Sequence, residues 1–268
     1  MGIEFVKMAG TGNDFIVLDN RDGVVGEDRA GFAQRHCPRR TAVGADGVLL
    51  IEPGGDADFR MRIFNADGSE AEMCGNGARC AARFAFVRGI AGSVMTMETI
   101  AGAVTAEVAD DTVTVGMGDV SPVGEETLVE AEGRTWVVHP VEAGVPHGIV
   151  FVEDLENAPV HVVGRAIRLH PAFQPRGTNV DFVQPVGERA IDIRTYERGV
   201  EAETLACGTG AIAAAVVSSA LGHVEGPPVN VGVRGGQLVI DFRRDGAGIR
   251  DVRLSGDARF IYQGQLLE

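Results

Sequence analysis

Short apolar runs, continuous or alternating with polar residues and broken by glycine and aspartate, fill most of the chain. That is the pattern of short strands joined by tight turns. Residues 4–8 and 14–19 read as a strand pair around the turn Ala9-Gly-Thr-Gly-Asn13. Residues 28–37 read as a short helix with Asp28 as N-cap. Residues 47–52 and 59–64 read as strands, followed by the turn Asn65-Ala-Asp-Gly-Ser69 and a helix beginning at Cys74. Segments 94–99, 103–108 and 112–116 form a meander, and Gly116-Met-Gly-Asp-Val-Ser-Pro122 interrupts the pattern as a candidate domain boundary. The plan then repeats: strands near 127–131, 134–138 and 148–152, a helix near 158–169, strands near 180–184 and 190–196, a helix beginning at Cys207, and strands near 229–233, 237–243 and 250–255. The expected domains are 1–118, to which 257–268 returns, and 119–256.

One short sequence occurs twice. Residues 74–82 read Cys-Gly-Asn-Gly-Ala-Arg-Cys-Ala-Ala and residues 207–215 read Cys-Gly-Thr-Gly-Ala-Ile-Ala-Ala-Ala, identical at six of nine positions. Gly89 follows Cys74 at the same distance as Gly222 follows Cys207. Upstream, Arg62-Ile-Phe-Asn65 precedes the first copy and Arg194-Thr-Tyr-Glu197 the second, the aromatic lying 10 and 11 residues before the cysteine. Each half thus places a cysteine at the start of a helix, where free N–H groups and about half a positive charge favour thiolate and bind carboxylate. Two such cysteines facing one pocket are an acid and a base on opposite sides of a bound anion. The fold class expected is α+β, with two similar strand-rich domains, each wrapped around a central helix and related by a pseudo-twofold axis, and an active site in the cleft between them.

Composition narrows the function. At 268 residues the chain can bury a substantial core, and its 37 glycines fit many tight turns and close backbone approach to a ligand. A net charge of −14 disfavours nucleic acid and an anionic membrane surface. No apolar run reaches the length of a membrane span, and no basic-then-apolar leader is evident, so a cytoplasmic protein is expected. The four cysteines show no metal spacing, and no metal site is expected. Lys7 is the only lysine, near one end of the sequence, so amino-acid chemistry here would run without pyridoxal phosphate. No cofactor is expected at all. Gly10-Thr-Gly-Asn-Asp14 fits neither a dinucleotide nor a Walker A loop.

Other residues carry weaker signals. Cys37 and Cys80 have no counterpart in the other half and read as packing residues. Asn13, Asn65, Asn76 and Asn179 are each simplest as turn or cap residues. As a set beside the motifs they suit holding carboxylates without adding charge. Tyr196-Glu197-Arg198 reads as a surface charge pair or as a clamp for a zwitterion, arginine for carboxylate and glutamate for ammonium. His147, in Gly144-Val-Pro-His-Gly148, lies in an apolar stretch, where a lone histidine is more often a satisfied core residue than a catalyst.

Taken together, Met8-Ala-Gly-Thr-Gly-Asn-Asp-Phe15, Phe64-Asn-Ala-Asp-Gly-Ser-Glu-Ala-Glu-Met-Cys-Gly-Asn-Gly-Ala-Arg79, Gly177-Thr-Asn-Val-Asp-Phe182, Thr195-Tyr-Glu-Arg-Gly199 and Glu203-Thr-Leu-Ala-Cys-Gly-Thr-Gly-Ala211 resemble the diaminopimelate epimerase family across nearly the whole chain. The resemblance implies that family's fold and cofactor-independent interconversion of LL- and meso-2,6-diaminopimelate, in lysine and peptidoglycan precursor synthesis, often by a homodimer. It also implies roles: Cys74 and Cys207 as the two bases, supported by His147 and Glu197. Asn13, Asn65, Asn179, Glu197 and Arg198 would hold substrate. Gly75 with Asn76, and Gly208 with Thr209, would present the helix ends. Two departures stand out. Val145 occupies a position where many members have asparagine, and Val200-Glu-Ala-Glu203 includes one residue more than many members have before the second cysteine. The rival readings are another racemase of the same fold acting on proline, hydroxyproline or another single-centre amino acid, a thiol redox switch, and an amino-acid binding protein.

Overall fold

β-Strands carry most of the architecture. A computed structural model describes residues 2–246 and 248–267. It divides into two compact units, Met1–Gly116 with Ser255–Glu268, and Met117–Leu254. In chain order the elements begin with β1 (Ile3–Gly10), β2 (Asn13–Asp19), α1 (Arg29–His36), β3 (Gly47–Glu52), β4 (Phe59–Asn65), β5 (Glu70–Ala71), α2 (Gly75–Val87), β6 (Val94–Thr99), β7 (Gly102–Ala109) and β8 (Thr112–Val120), the first unit's stretch ending at Gly116 within β8. Then follow β9 (Thr127–Ala131), β10 (Arg134–Ala143), β11 (Val145–Phe151), α3 (Val160–Leu169), a 3-10 turn at Pro171–Phe173, β12 (Asn179–Gly187), β13 (Ala190–Glu197), β14 (Ala202–Thr204), α4 (Gly208–Ala220), β15 (Val229–Val233), β16 (Gly236–Asp245) and β17 (Gly248–Asp257), the second unit ending at Leu254 within β17. The last strand, β18 (Arg259–Leu266), pairs antiparallel with β1.

The two units use the same order of pairings. In the first, β1–β2 is antiparallel, β2–β3 parallel, β3–β4 antiparallel, β4–β6 parallel and β6–β7 antiparallel. In the second, β10–β11, β11–β12, β12–β13, β13–β15 and β15–β16 repeat that series of directions. The register fixes equivalent positions. Phe15 pairs with Gly47 at the first parallel rung of one unit, and His147 with Asn179 at that of the other. Phe15 therefore corresponds to His147, and Leu49, two residues beyond Gly47, corresponds to Asp181.

Each unit encloses one helix. α4 is almost wholly small and apolar, and it touches β10, β11, β12, β13, β15 and β16. A helix apolar on all sides belongs in a core, and Ala211 to Val217 are all buried there with Ile149, Val183, Val231 and Leu254. On the opposite face, Val163 and Ile167 of α3 pack with Trp136, Phe182 and Tyr196. In the first unit α2 touches β1, β2, β3, β4 and β7, while Phe32 and Ala33 of α1 pack with Ile16, Leu18, Leu50 and Phe64. Both enclosed helices end alike. Gly89 and Gly222 take φ of 68° and 75°, and the next N–H reaches back five residues, Ile90 to Ala85 and His223 to Ser218. Glycine adopts this left-handed turn without steric cost.

The structure departs from the sequence expectation in two places. β8, expected over 112–116, continues through Gly116-Met-Gly-Asp-Val120, the segment read as a candidate domain boundary, and the division into units falls within it. There the glycine is a packing residue, since a Cβ on Gly116 would stand 2.7 Å from Thr105 Oγ1. β10 and β11 also extend over 139–147, despite Pro140 and Pro146. The Pro140 carbonyl accepts from Gly124 N–H at 2.7 Å, on the side where pairing with β9 has ended at Val138, so the missing N–H removes no rung.

Candidate active site

Both duplicated cysteines are helix N-caps in extended backbone, Cys74 at φ −145° and ψ 119°, Cys207 at φ −119° and ψ 112°. Each sulfur accepts from the third N–H of its own helix, Gly77 N and Gly210 N, both at 3.4 Å. The first-turn N–H groups of Gly75 with Asn76, and of Gly208 with Thr209, have no intrahelical partner by geometry and so present donors beside each thiol. The third residue must be glycine because the sheet lies close beneath. A Cβ on Gly77 would meet Leu49 at 3.2 Å and Phe15 at 3.6 Å; one on Gly210 would meet Asp181 Oδ1 at 2.4 Å.

Beside Cys74, the Asn13 carboxamide bridges two groups. Its oxygen accepts from Cys74 Sγ at 3.7 Å, and its NH2 donates to Asp46 Oδ2 at 2.7 Å. Asp46 and Asp14 share Arg39, and Asp14 also pairs with buried Lys7 at 2.6 Å, whose ammonium donates to the Gly44 carbonyl. Burial would raise the Asp14 carboxyl, but hydrogen bonds and charge from Arg39 and Lys7 hold it at about 2. Asn65 is an exposed turn residue that donates to Ser69 Oγ at 3.0 Å. Asn76 is buried, and its side-chain oxygen accepts from Arg79 Nη2 at 3.0 Å.

Arg79 is a site residue the sequence reading missed. It is fully buried in the second turn of α2 and donates to Thr11 Oγ1, Asn76 Oδ1 and the carbonyls of Gly75 and Asp257. Burial lowers its pKa, and its charge interacts with Cys74. Ile212 occupies the matching position in α4. An arginine among alanines on a helix otherwise buried on that side was the available signal.

Beneath Cys207 the matching positions are polar. His147 Nδ1 lies 2.7 Å from Asp181 Oδ2, with both side chains fully buried. Asp181 Oδ1 accepts from Thr195 Oγ1 at 2.6 Å. His147 Nε2 lies 3.0 Å from Thr209 Oγ1, which lies 3.4 Å from Cys207 Sγ. Asn179 is buried; its oxygen accepts from Arg198 N–H at 2.8 Å, and its nitrogen is 3.4 Å from His147 Nε2. Burial, then the charges of Glu197 and Asp181, push the Cys207 thiol far above its ordinary value. Burial likewise raises Glu197, the nearby Asp181 charge adding to it against a Thr204 hydrogen bond. Among the described residues Glu197 makes no ion pair with Arg198, whose guanidinium donates to the Arg176 carbonyl at 2.8 Å. Asp181 was also missed. A carboxylate inside the fully buried Asn179-Val-Asp-Phe-Val183 run of β12 was its signal, since such a group requires partners.

The approach to each cysteine is braced in the same way. Arg62 grips Glu70 through two bonds of 2.6 and 2.8 Å, and Arg194 grips Glu203 through two of 2.7 and 2.6 Å. Each glutamate stands four residues before its cysteine, so the extra residue of the second half falls in the turn between β13 and β14. Glu201 absorbs it in a left-handed conformation (φ 58°), held by Arg168 at 2.9 Å and Gly199 N–H at 3.1 Å. Cys37 and Cys80 are buried, and burial raises their thiols to about 11 and about 12. Among the described residues no group of three His, Cys, Asp or Glu could hold a metal ion, and no helix is long and apolar enough to cross a membrane.

This duplicated arrangement has close counterparts. The sequence pattern of the diaminopimelate epimerase family matches residues 5–123 and 140–261. The chain is 48% identical to a diaminopimelate epimerase of Aquifex aeolicus, over 99% of this chain and 98% of that one. It is 41% identical to a diaminopimelate epimerase of Caldanaerobacter subterraneus subsp. tengcongensis, over 98% and 99%. A solved phenazine biosynthesis protein of the PhzF family from Bacillus anthracis shares the fold, with a TM-score of 0.76 over 100% of both chains at 16% identity. The chain belongs to the diaminopimelate epimerase family.

Proposed function

We propose that this protein converts LL-2,6-diaminopimelate to meso-2,6-diaminopimelate without a cofactor, with Cys74 and Cys207 as the acid–base pair. The observation that carries the reading is the duplicated N-cap: two thiols, each bonded to the third N–H of a buried helix on topologically equivalent strands. The α-proton of an amino acid is weakly acidic. With no imine to delocalise the charge, the carbanion must be stabilised by fixed dipoles, and first-turn N–H groups directed at the α-carboxylate supply them. One cysteine, as thiolate, removes the proton from one face of the carbon. The other, as thiol, delivers a proton to the opposite face, and the roles exchange when the reaction runs backward.

Substrate is held by Asn13, Asn65, Asn179, Glu197 and Arg198 in this reading. Arg198 offers its planar fork to the distal carboxylate and Glu197 accepts from the distal ammonium. Val145 leaves one side of the distal end without an amide. His147 and Glu197 assist the cysteines. The enzyme works in the cytoplasm as a homodimer; exposed Ile261 and Tyr262 on β18 offer apolar surface for a second copy.

The test is incubation of LL-diaminopimelate in D2O with chiral analysis and mass spectrometry. Meso product carrying one deuterium at the inverted carbon is expected. Inversion of proline or lysine at a comparable rate would instead assign a single-centre racemase, and binding without exchange at the α-carbon a binding protein.

A further inference from the structure

The hydrogen bonds beneath Cys207 run in one consistent direction. Arg198 N–H identifies the Asn179 oxygen, so the Asn179 NH2 is the group turned to His147 Nε2. Facing a donor, Nε2 carries the ring's lone pair and the ring proton sits on Nδ1, where Asp181 accepts it. Thr195 donates to the other Asp181 oxygen, so both oxygens of that carboxylate accept. The Thr209 hydroxyl then donates to Nε2, and its oxygen is left to accept from the Cys207 S–H. The hydroxyl stands between sulfur and imidazole with its proton already directed at the base.

We propose that Cys207 loses and regains its proton through the Thr209 hydroxyl and His147, and that Asp181 is the positioning residue keeping Nε2 turned to this relay. The step balances within the protein. The S–H proton passes to the Thr209 oxygen as the Thr209 O–H proton passes to Nε2. This leaves a thiolate, an unchanged hydroxyl and an imidazolium whose Nδ1–H stays bonded to the Asp181 carboxylate. The reverse movement restores the thiol.

Three features support it. Cys207 is buried among the carboxylates of Glu197 on β13 and Asp181 on β12, with His147 on β11 and Thr209 on α4 completing its polar surroundings. Its ionisation therefore needs a base that takes the proton a short distance and keeps the cation nearby. Second, packing does not require these groups, because the equivalent positions beneath Cys74 are Phe15 and Leu49. Third, among the described residues Asp181 hydrogen-bonds through its side chain only to His147 and Thr195, so a buried charge is placed where its effect falls on the imidazole.

The relay gives meaning to the proton that the proposed epimerisation moves, and in that sense rests on it, but it can be tested without turnover. The experiment is site-resolved alkylation of the full chain by iodoacetamide, from about pH 6 to about pH 10, with rates read by peptide mass spectrometry and Cys74 as internal reference. If Asp181 acts on Cys207 only as a nearby negative charge, Asp181→Asn eases thiolate formation and speeds alkylation. The relay requires the opposite: alkylation of Cys207 about tenfold slower near neutral pH, with Cys74 unchanged. His147→Asn should slow it similarly, and the double variant should be no slower than either single one. Thr209→Val should slow it, and Thr209→Ser, which keeps the hydroxyl, should restore most of the rate. Thr209 is half-buried on the first helical turn, so this pair decides the matter should Asp181→Asn fail to fold. In turnover the slowed variants should lose kcat with KM little changed. Cys207 alkylation that is unchanged or faster in Asp181→Asn and indifferent to Thr209→Val overturns the relay, even where epimerisation persists. Relay-dependent alkylation in a parent protein that leaves the diaminopimelate α-carbon unexchanged would overturn the activity instead.

Discussion

The two cysteine-bearing helix starts share a backbone and differ in almost every side chain around it. Cys74 rests over Phe15 and Leu49 with the buried cation of Arg79 one turn on; Cys207 rests over His147 and Asp181, with Glu197 nearby and Ile212 in place of the arginine. Duplication thus supplied what both thiols need, an N-cap sulfur and unpartnered first-turn donors. Divergence supplied unlike charges around them, which is what the proposed two-base reaction would use, because there one thiol starts charged and the other neutral. The buried cation of Arg79 interacts with Cys74, whereas burial and the charges of Glu197 and Asp181 disfavour the Cys207 thiolate. Near neutral pH Cys74 should be alkylated faster than Cys207.

The hardest way to break the comparison is to remove either sulfur. Cys74→Ala and Cys207→Ala should each lower epimerisation by about 100- to 10,000-fold, measured as deuterium incorporated at the α-carbon. Cys37→Ala and Cys80→Ala, whose thiols are buried and held in the protonated form, should stay close to the parent. Near-normal turnover by either of the first pair would remove the two-base mechanism and leave the shared helix starts as anion-binding geometry alone.

Next in size is Arg79→Met, which makes the first helix start more like the second. Four acceptors around the guanidinium lose their donor, so the first unit should lose about 3 kcal/mol of stability, read by urea denaturation. Alkylation of Cys74 should slow while that of Cys207 stays the same. If both thiols respond equally, the arginine is a structural brace only.

A third test concerns the element that only the second unit carries. Arg198→Leu removes the proposed distal-carboxylate ligand and should cut kcat/KM for diaminopimelate by about 100-fold, the equivalent of roughly 3 kcal/mol of charge-assisted bonding. Lysine, lacking that carboxylate, should be a very poor substrate for the parent and should be affected little by the change. Equal losses on both substrates would place Arg198 in the fold and not in specificity.

The duplicated framework was legible in the sequence because it rests on local signals: glycine and aspartate at turns, a cysteine-glycine-x-glycine helix start, and a left-handed glycine after each helix. The strand series and both enclosed helices follow from these. What differs between the halves was less legible. His147 was visible as a histidine in an apolar stretch, but its partner Asp181 comes from another strand, and only the parallel register of β11 and β12 brings them together. Arg79 sits inside a motif whose conspicuous members are its cysteine and glycines, and its acceptors include a carbonyl far along the chain at Asp257. Pro140 and Pro146 concealed the length of β10 and β11, because a proline ends a strand only where its N–H would have faced a neighbour.

The smallest effect expected is on acid stability, and its sign separates the two surroundings again. Asp14, near the Cys74 side, is held at about 2 in the folded chain, below its ordinary 3.8, by Arg39 and Lys7 against the effect of burial. A depressed carboxyl contributes stability that is complete above its unfolded value and is lost as pH falls through the folded one, here about 2 kcal/mol between about pH 4 and about pH 2. Glu197, beside Cys207, is shifted upward. Its ionisation opposes folding, so its relative contribution is complete below its unfolded value and declines as pH rises through the folded one. Urea denaturation of Asp14→Asn should therefore show a deficit at neutral pH that vanishes near pH 2, whereas Glu197→Gln should gain on the parent as pH rises from acid toward neutral. An Asp14→Asn protein that follows the parent across this range would mean that the Lys7–Asp14–Arg39 network merely orients Asn13 through Asp46 and adds nothing to the stability of the unit that carries Cys74.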